Sequence, residues 1–316
     1  MRVVIPDDYQ DCVRHLKCFS KLERHDVTIY NDTVHDLDQL VERFKDAQAI
    51  VLTRERTVIQ RQLLERLPNL QLISQTGKMA SHVDLKACQD HGVVVMEGRG
   101  TVSATTELSL LLILAALRNF VPEVNRLKDG QWQGSVGRQL HGKTLGVYGF
   151  GRIGEQVCHL GRAFGAKVLV WGRPTSLQNA KEKGFSVAIS REAFFSQCDV
   201  ISLQLRLTPE TKYLVTAQDL ASMKTDAVLV NTSRAELIEA GALVQALKNG
   251  RPGFAAVDVY ENEPIYNANH PLVNLPNCLC APHLGFVEQE NYEAYFGIAF
   301  ENINAFCDGQ MPNRVI

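Results

Sequence analysis

The sequence lacks an excess of charge of either sign. Its 33 basic and 35 acidic side chains give a net charge of −2 at pH 7. This balance argues against nucleic acid or an anionic membrane surface as a partner, because both attract proteins through strongly basic patches. Any anionic ligand must therefore be held by a local site.

Long apolar runs are also missing. The N-terminal segment MRVVIPDDYQDC lacks the apolar core of a signal peptide, and the longest apolar run, residues 108–117, is too short to span a bilayer. Of the eight cysteines, only Cys278 and Cys280 lie close together, without the second pair that a zinc site would need. We therefore expect a cytoplasmic protein with reduced thiols, no metal and no membrane association.

Short apolar strands and helix-forming segments alternate through most of the chain, which predicts parallel α/β structure. A length of 316 residues favours two domains. The alternation runs through residues 1–98, restarts at Thr144 and stops near Pro282, and a final helix is predicted over 287–309. The pattern indicates a nucleotide domain inserted into a first domain that the last helix completes.

A predicted helix from about Thr105 to Asn119 is apolar on nearly every face, which indicates burial on more than one side. The segment that follows, residues 120–143, is polar and contains glycines and one Trp. Two interpretations stay open for this segment: an arm that lies on a neighbouring subunit, or a solvated linker helix.

The segment TLGVYGFGRIGEQVCHLGRAFGAKVLVW reads as strand, glycine turn, helix and strand. Gly149 permits the tight turn, Gly151 lets the backbone approach a pyrophosphate, and Gly154 lets the helix pack on the strand. The helix start, at Arg152 and Ile153, offers N–H groups to the phosphates, and Arg152 adds a charge-assisted contact. These residues predict a dinucleotide site.

The second strand of this unit ends without the carboxylate that commonly holds the adenosine ribose. Gly172 cannot accept ribose hydroxyls, and Arg173 would attract a 2′-phosphate instead of repelling it. Thr175 and Ser176 add hydroxyl groups. The residues therefore favour NADP over NAD, with two alternatives: NAD bound without an acid, or Arg173 stacked on the adenine.

Three further motifs follow GFGRIG in order: NTSRAELIEAGAL, AAVDVYENEP and APHLG. In this order they resemble the D-isomer-specific 2-hydroxyacid dehydrogenases, in particular the D-3-phosphoglycerate dehydrogenase and hydroxypyruvate/glyoxylate reductase branch. The resemblance implies a Rossmann-type doubly wound parallel sheet domain, residues 100–284. This domain would be inserted in a smaller flavodoxin-like α/β domain, residues 1–99 plus 285–316, with the active site in the cleft between them.

The resemblance also implies the site residues. Arg234 would bind the substrate carboxylate and polarise the carbonyl, His283 would donate the proton, and Glu263 would hold the His283 ring. Asp258 would lie on the nicotinamide side. The remaining cofactor positions implied by these motifs are Thr232, Ser233 and Gly285.

The substrate-carboxylate loop departs from the family pattern. The segment QTGKMASHVDL keeps Gly77 and Lys78 but has Met79 where the family has a second glycine, so a side chain is expected to narrow the pocket or change its preference. The family's H-x-P segment is replaced by Gln204 and Arg206. Arg206 is either a second ligand for a 2′-phosphate or a solvent-facing side chain.

The segment LTRERT resembles one that binds the substrate phosphate in phosphoglycerate dehydrogenases. If it is a strand, Arg54 and Arg56 share one face and Glu55 points away. A phosphorylated substrate is one possibility that this segment leaves open.

Together these residues predict a reversible NAD(P)-linked interconversion of a small-molecule D-2-hydroxy acid and its 2-keto acid. We expect a homodimer formed through the cofactor domain. An alternative from another class is a cofactor-binding corepressor on the same scaffold with little or no turnover. Formate dehydrogenase is a weaker alternative, because the extra amide-rich motifs around its His are absent.

Overall fold

The computed structural model describes all 316 residues, and internal packing divides them into two compact units. Unit 1 comprises Met1–Thr101 and Val287–Ile316, and unit 2 comprises Val102–Phe286. The predicted domain junctions, after residues 99 and 284, lie beside these unit junctions. The domain boundaries themselves stay a prediction.

Unit 1 contains a parallel sheet of five strands in the order β2-β1-β3-β4-β5, which is the flavodoxin-like order. β3 is a continuous apolar run, and both β3 and β4 are buried at every position, including the polar Ser74 and Gln75 at the end of β4. The strands are β1 (Arg2–Ile5), β2 (Asp26–Ile29), β3 (Ala49–Leu52), β4 (Leu72–Gln75) and β5 (Val94–Met96).

Three short helices and the C-terminal helix, Gln289–Cys307, complete unit 1. The first and third are capped at their N-termini by Asp36 and Asp84, whose carboxylates accept hydrogen bonds from backbone N–H groups of the first turn. The three helices are α1 (Leu37–Phe44), α2 (Arg61–Leu64) and α3 (Leu85–Asp90). Two 3₁₀ helices lie at Val13–His15 and Lys17–Leu22.

Unit 2 contains a parallel sheet of seven strands, whose bounds are β6 (Thr144–Tyr148), β7 (Lys167–Trp171), β8 (Ser186–Val187), β9 (Val200–Leu203), β10 (Val228–Asn231), β11 (Phe254–Val257) and β12 (Cys278–Cys280). Their order is β12-β11-β10-β9-β6-β7-β8. With β6 as the first strand, this is the doubly wound Rossmann order with one added strand. The predicted fold class is confirmed.

The helices of unit 2 cover both faces of its sheet. Its helices are α4 (Ser103–Leu117), α5 (Phe120–Lys128), α6 (Arg152–Ala163), α7 (Pro174–Glu182), α8 (Arg191–Gln197), α9 (Ala217–Ser222) and α10 (Ala242–Lys248), and the C-terminal helix of unit 1 is α11. Two 3₁₀ helices lie at Ala235–Leu237 and Pro271–Asn274. α4 packs against α6, β10 and β11, which confirms its predicted burial.

No single helix is long and apolar enough to cross a membrane. α4 and α5 pass that test only as a pair, by length and composition, and they are bent by 65° relative to each other.

Candidate active site

The glycine turn after β6 has the geometry that a dinucleotide requires. Gly149 has φ +102°, and a Cβ atom there would lie 2.3 Å from the Gln204 carbonyl oxygen. A Cβ atom at Gly154 would lie 2.1 Å from the Gly149 carbonyl oxygen. At Gly151, by contrast, no atom lies within 4 Å of the Cβ position. The first and third glycines are needed for close packing, and the second leaves room for a ligand.

The start of α6 offers hydrogen-bond donors to that room. Gly151 is the N-cap residue and supplies no side-chain hydrogen bond to the helix. The first N–H groups of a helix have no partner within it, and they attract anions. Arg152 is the first helical residue and is exposed. The residues of this turn therefore fit the pyrophosphate of a dinucleotide.

The end of β7 lies directly beside the glycine turn. A Cβ atom at Gly172 would lie 3.7 Å from the Gly149 Cα and 3.4 Å from the Ser176 Cβ, which is ordinary contact. Arg173 is the exposed N-cap of α7 and makes no side-chain cap hydrogen bond. The pKa of Glu210 lies below its ordinary value, chiefly because of a hydrogen bond from Thr208 and in smaller part because of the Arg173 charge. A carboxylate is therefore near Arg173.

The three predicted catalytic residues follow three adjacent strands. Arg234 comes after β10, Glu263 after β11 and His283 after β12, and β11 pairs with both neighbours in parallel. The carboxyl ends of parallel strands meet at one edge of a sheet, and this edge is where α/β proteins bind ligands. The topology therefore places all three loops at the same edge of unit 2.

Glu263 and His283 are in direct contact. The His283 Nδ1 and Glu263 Oε2 atoms are 2.5 Å apart, and the Tyr260 N–H donates to Glu263 Oε1 at 2.9 Å. The Phe286 ring meets the His283 ring edge-on, with 5.4 Å between centroids. Because the carboxylate accepts the Nδ1 proton, Nε2 is the ring nitrogen left for chemistry. The ring is thus contacted by Glu263 and Phe286, and Tyr260, which was missed in the sequence, holds Glu263.

Asp258 anchors the loop that carries His283. Its two carboxylate oxygens accept hydrogen bonds from the backbone N–H groups of Leu284 (2.7 Å) and Gly285 (2.8 Å). The Thr105 hydroxyl donates to the Gly285 carbonyl at 2.7 Å. Asp258 is fully buried, and burial raises its pKa to about 6. The structure thus assigns Asp258 a structural role beside its predicted place near the nicotinamide.

The Arg234 loop is shaped by the amide of Asn231. Asn231 Nδ2 donates to the Arg234 carbonyl at 2.8 Å, and the Ser233 N–H donates to Asn231 Oδ1 at 3.0 Å. The Arg234 guanidinium also donates from Nη1 to the Ser233 carbonyl at 2.6 Å. Arg234 is half-buried in extended backbone before the 3₁₀ turn that starts at Ala235.

The side chains of Thr232 and Ser233 have partners within the protein. Thr232 Oγ1 lies 2.7 Å from Ser109 Oγ, and Ser233 Oγ donates to the Leu203 carbonyl at 2.8 Å. Gln204 Nε2 joins this group through Ser109 at 3.1 Å. Gln204, which replaces a family histidine, therefore ties β9 to α4. Its partner Ser109 gave no signal in the sequence.

In unit 1 the Arg54 guanidinium lies against the Gly77 backbone. A Cβ atom at Gly77 would lie 2.2 Å from Arg54 Nη1 and 2.9 Å from the Tyr295 ring, and Gly77 has φ +92°. The Arg54 guanidinium lies over the Tyr295 ring, 5.2 Å from its centroid. Tyr295 was not singled out in the sequence, because nothing in its helical context distinguishes it from a core aromatic residue.

The LTRERT segment is a turn in the structure. β3 ends at Leu52, and Arg54 has the left-handed φ of 56°, so the expected strand face shared by Arg54 and Arg56 does not form. Arg56 instead donates to the Asp7 carbonyl at 2.6 Å and covers the Tyr9 ring at 4.1 Å.

Lys78 and Met79 differ in their surroundings. Lys78 is exposed, with Nζ 3.7 Å from Glu97 Oε1. The Met79 N–H donates to Glu97 Oε2 at 2.9 Å, and the Met79 side chain is buried in the apolar core of unit 1. The side chain at this position fills the core, whereas we expected it to narrow the pocket. Glu97, which orders both residues, was missed.

Similarity to a protein-family model identifies the family of this chain. The model of the D-isomer specific 2-hydroxyacid dehydrogenase NAD binding domain matches residues 110–285. The chain belongs to this family. The predicted resemblance is confirmed, and the chain is an oxidoreductase of the NAD(P)-using type.

Individual relatives carry different substrate names. A glyoxylate reductase of Aeropyrum pernix is 34% identical over 290 residues, which cover 88% of this chain and 85% of the relative. A 4-methyl-2-oxopentanoate reductase A of Aspergillus oryzae is 34% identical over 80% of this chain and 78% of its own. The solved structure of a phosphoglycerate oxidoreductase from Vibrio cholerae is 49% identical, with a TM-score of 0.95 over 98% of this chain and 99% of the other.

Proposed function

We propose that the protein catalyses the reversible, NAD(P)-linked reduction of a 2-keto acid to the D-2-hydroxy acid, with His283 as proton donor. The contact between His283 Nδ1 and Glu263 Oε2, at 2.5 Å, carries this proposal. A bound nicotinamide supplies and accepts the hydride. The protein's own residues bind the acid, orient it and move the proton.

His283 performs the proton transfer through Nε2. Glu263 accepts the Nδ1 proton and stabilises the imidazolium, and the Tyr260 N–H keeps Glu263 in place. Reduction places negative charge on the carbonyl oxygen, and the Nε2 proton neutralises it. Oxidation of the hydroxy acid runs the same transfer backwards.

Arg234 binds the carboxylate of the acid in this proposal, since a guanidinium forms two parallel hydrogen bonds with a carboxylate. Gly77, Lys78 and Arg54 serve as further substrate-binding residues. The exposed Lys78 and the Arg54 guanidinium beside the Gly77 backbone suit an anionic substrate. Met79 contributes through its backbone position only, because its side chain is buried.

NADP is the cofactor that the end of β7 suits better. Pro174 at the start of α7 has no N–H. The first-turn donors are therefore the backbone N–H groups of Thr175 and Ser176, which follow the charged Arg173. Gly172 presents no carboxylate. Arg206, exposed on the loop after β9, is the second proposed ligand for a 2′-phosphate. The alternative is that NAD binds without a protein carboxylate to hold its ribose. In that case Arg173 stacks on the adenine.

A spectrophotometric assay tests the reaction. Loss of nicotinamide absorbance is followed with NADPH and NADH in parallel, on hydroxypyruvate, glyoxylate and 3-phosphohydroxypyruvate. Turnover on at least one acid supports the proposal, and the faster cofactor identifies the preference. If the protein binds cofactor and reduces none of these acids or a wider keto-acid panel, the corepressor-like alternative replaces it.

A homodimer is also part of the proposal, formed through α4, α5 and the arm that follows, residues 129–139. Several large apolar side chains of this segment face solvent: Leu111, Phe120, Leu127, Trp132 and Val136. The arm folds back on α5 through Glu123, which accepts hydrogen bonds from the Gly134 N–H and the Ser135 hydroxyl. Because the arm is ordered and exposes the apolar side chains of Trp132 and Val136, it favours contact with a second copy of the chain over contact with solvent.

A further inference from the structure

Cys278 and Cys280 form a pair of thiols on one face of β12. One residue separates them, so an extended backbone directs both side chains the same way. Their Sγ atoms are 3.7 Å apart, and both thiols are free. β12 is the edge strand of its sheet, and both residues are half-buried. The two sulfur atoms are therefore already in contact at the margin of the apolar core, against which both side chains pack.

The thiol pair lies beside the support of the His283 loop. The Tyr260 hydroxyl donates to the Ala281 carbonyl at 3.0 Å and is also within hydrogen-bonding reach of Cys280. The Ala281 N–H donates to the Val257 carbonyl at 2.8 Å. The Ala281 carbonyl belongs to the peptide that follows Ala281, so this one residue separates Cys280 from the hydrogen bond of Tyr260. The Tyr260 N–H in turn holds Glu263.

We infer that Cys278 and Cys280 are a modification site, at which a hydroperoxide forms an intrastrand disulfide that reversibly lowers turnover. Residues i and i+2 of a strand have Cα atoms about 6.6–6.8 Å apart. Disulfides span Cα distances of roughly 4.4–6.8 Å. The bond therefore forms after a small contraction of β12.

The chemistry proceeds in two balanced steps. The Cys280 thiolate attacks the peroxide O–O bond, which gives a sulfenic acid on Cys280 and an alkoxide or hydroxide that takes a proton. The Cys278 thiol then attacks the Cys280 sulfur, which forms the S–S bond and releases water. The two thiols are oxidised and the peroxide is reduced. Hydrogen bonding by Cys278 lowers the pKa of the Cys280 thiol, which agrees with Cys280 as the attacking sulfur.

The bond alters the catalytic loop. The sulfur atoms must approach from 3.7 Å to about 2.05 Å, and the contraction turns the backbone at Cys280 and shifts Ala281, the next residue. This shift weakens the Tyr260–Ala281 hydrogen bond and displaces His283, three residues beyond Cys280. A displacement of about 1 Å costs up to roughly 100-fold in rate. This expected effect rests on the proposed function, whereas disulfide formation does not.

The test uses the full chain, treated with hydrogen peroxide and then alkylated. Peptide mass spectrometry counts the alkylated thiols in the wild type, Cys278→Ser, Cys280→Ser and the control Cys307→Ser, which removes an exposed thiol. We expect the peptide containing 278–280 to lose two hydrogen atoms and both alkylation sites in the wild type and Cys307→Ser only. Keto-acid turnover should fall about 10- to 100-fold in those two proteins and return with dithiothreitol.

Three results would overturn the inference. The first is full alkylation of both thiols at peroxide doses that oxidise Cys307. The second is a disulfide that leaves turnover unchanged, and the third is equal inactivation of Cys278→Ser and Cys280→Ser. If no protein reduces any keto acid before treatment, the proposed function fails instead, and the mass result still decides whether the disulfide forms.

Discussion

At the scale of single residues, the candidate site depends on contacts between side chains and the backbone of neighbouring loops. Glu263 is held by Tyr260 and holds His283, and Asp258 holds the two peptides after His283. Each acidic group therefore has a positioning task that precedes any contact with a ligand. Substitutions at these residues should therefore affect turnover and folding stability to different extents.

Substitution of His283 by Ala should lower kcat about 100- to 10,000-fold, because it removes the proton donor. Cofactor affinity, measured by nicotinamide fluorescence, should change little. His159→Ala is the matched control, since His159 lies exposed on α6 and should retain full turnover. Near-normal turnover of His283→Ala would show that another group donates the proton.

Asp258→Asn should change how stability depends on pH. Burial raises the pKa of Asp258 from its ordinary value, near 3.8, to about 6. A raised pKa means that the contribution of this group is fully present below pH about 4 and is lost as pH rises through about 6, a loss of about 3 kcal/mol. The wild type should therefore lose about 3 kcal/mol relative to Asp258→Asn across this window.

Urea unfolding of both proteins at several pH values between 4 and 7 measures this difference. The comparison isolates one carboxyl group, because every other titrating group is common to both chains. Unfolding free energies that stay parallel across the window would show that Asp258 keeps an ordinary pKa.

At the scale of elements, the proposed cofactor preference depends on the strand-to-helix turn after β7. Gly172→Asp should shift the ratio of kcat/KM for NADPH over NADH towards NADH by about tenfold or more, because the new carboxylate accepts ribose hydroxyls and repels a 2′-phosphate. The site has room for the side chain, since a Cβ at this position makes only ordinary contacts.

Arg173→Gln is the companion variant for Gly172→Asp. It should weaken NADPH use without improving NADH use, because it removes an attraction and adds no acceptor. Both variants are measured in the same steady-state assay. If the ratio of kcat/KM for NADPH over NADH is unchanged in Gly172→Asp, the end of β7 does not determine which cofactor is preferred.

Most elements follow from the sequence because each buried parallel strand is a short continuous apolar run. β8 was missed, since Ser186–Val187 is too short to show a pattern. In LTRERT, Arg54 and Arg56 were expected to share a face only on the condition that the segment is a strand, and the segment is a turn. The left-handed backbone of Arg54 accompanies a contact beyond β4: the Arg54 N–H donates to Thr76 Oγ1 at 2.9 Å.

Motifs identified the proposed catalytic residues, whereas they did not identify the residues that hold them. Tyr260, Asn231 and Glu97 are ordinary residues in sequence, and their tasks arise from contacts that only the folded chain creates. Met79 shows the converse: a residue in a motif position turns its side chain into the core.

At the scale of the whole molecule, the exposed apolar segment of unit 2 predicts association. One chain has a mass of 35.2 kDa, so light scattering should report twice this mass for the wild type. Trp132→Glu should shift the equilibrium towards monomer, because an unpaired carboxylate in an interface costs several kcal/mol (about 2–5).

Ile189→Glu is the matched control for this prediction, since Ile189 is equally apolar and 93% exposed but lies outside the segment. It should leave the mass unchanged. A wild type that stays monomeric at all concentrations would contradict the proposed homodimer. A Trp132→Glu protein that still dimerises would place the interface elsewhere.

The contact between Arg54 and Gly77 has a consequence for how substrate preference can evolve. A side chain at position 77 meets the Arg54 guanidinium and the Tyr295 ring, and it is strained by the φ of +92°. Only the part of its cost that comes from Arg54 depends on which residue occupies position 54. The two positions should therefore show partial epistasis, in which Gly77→Ala is somewhat more harmful beside Arg54 than beside a smaller residue.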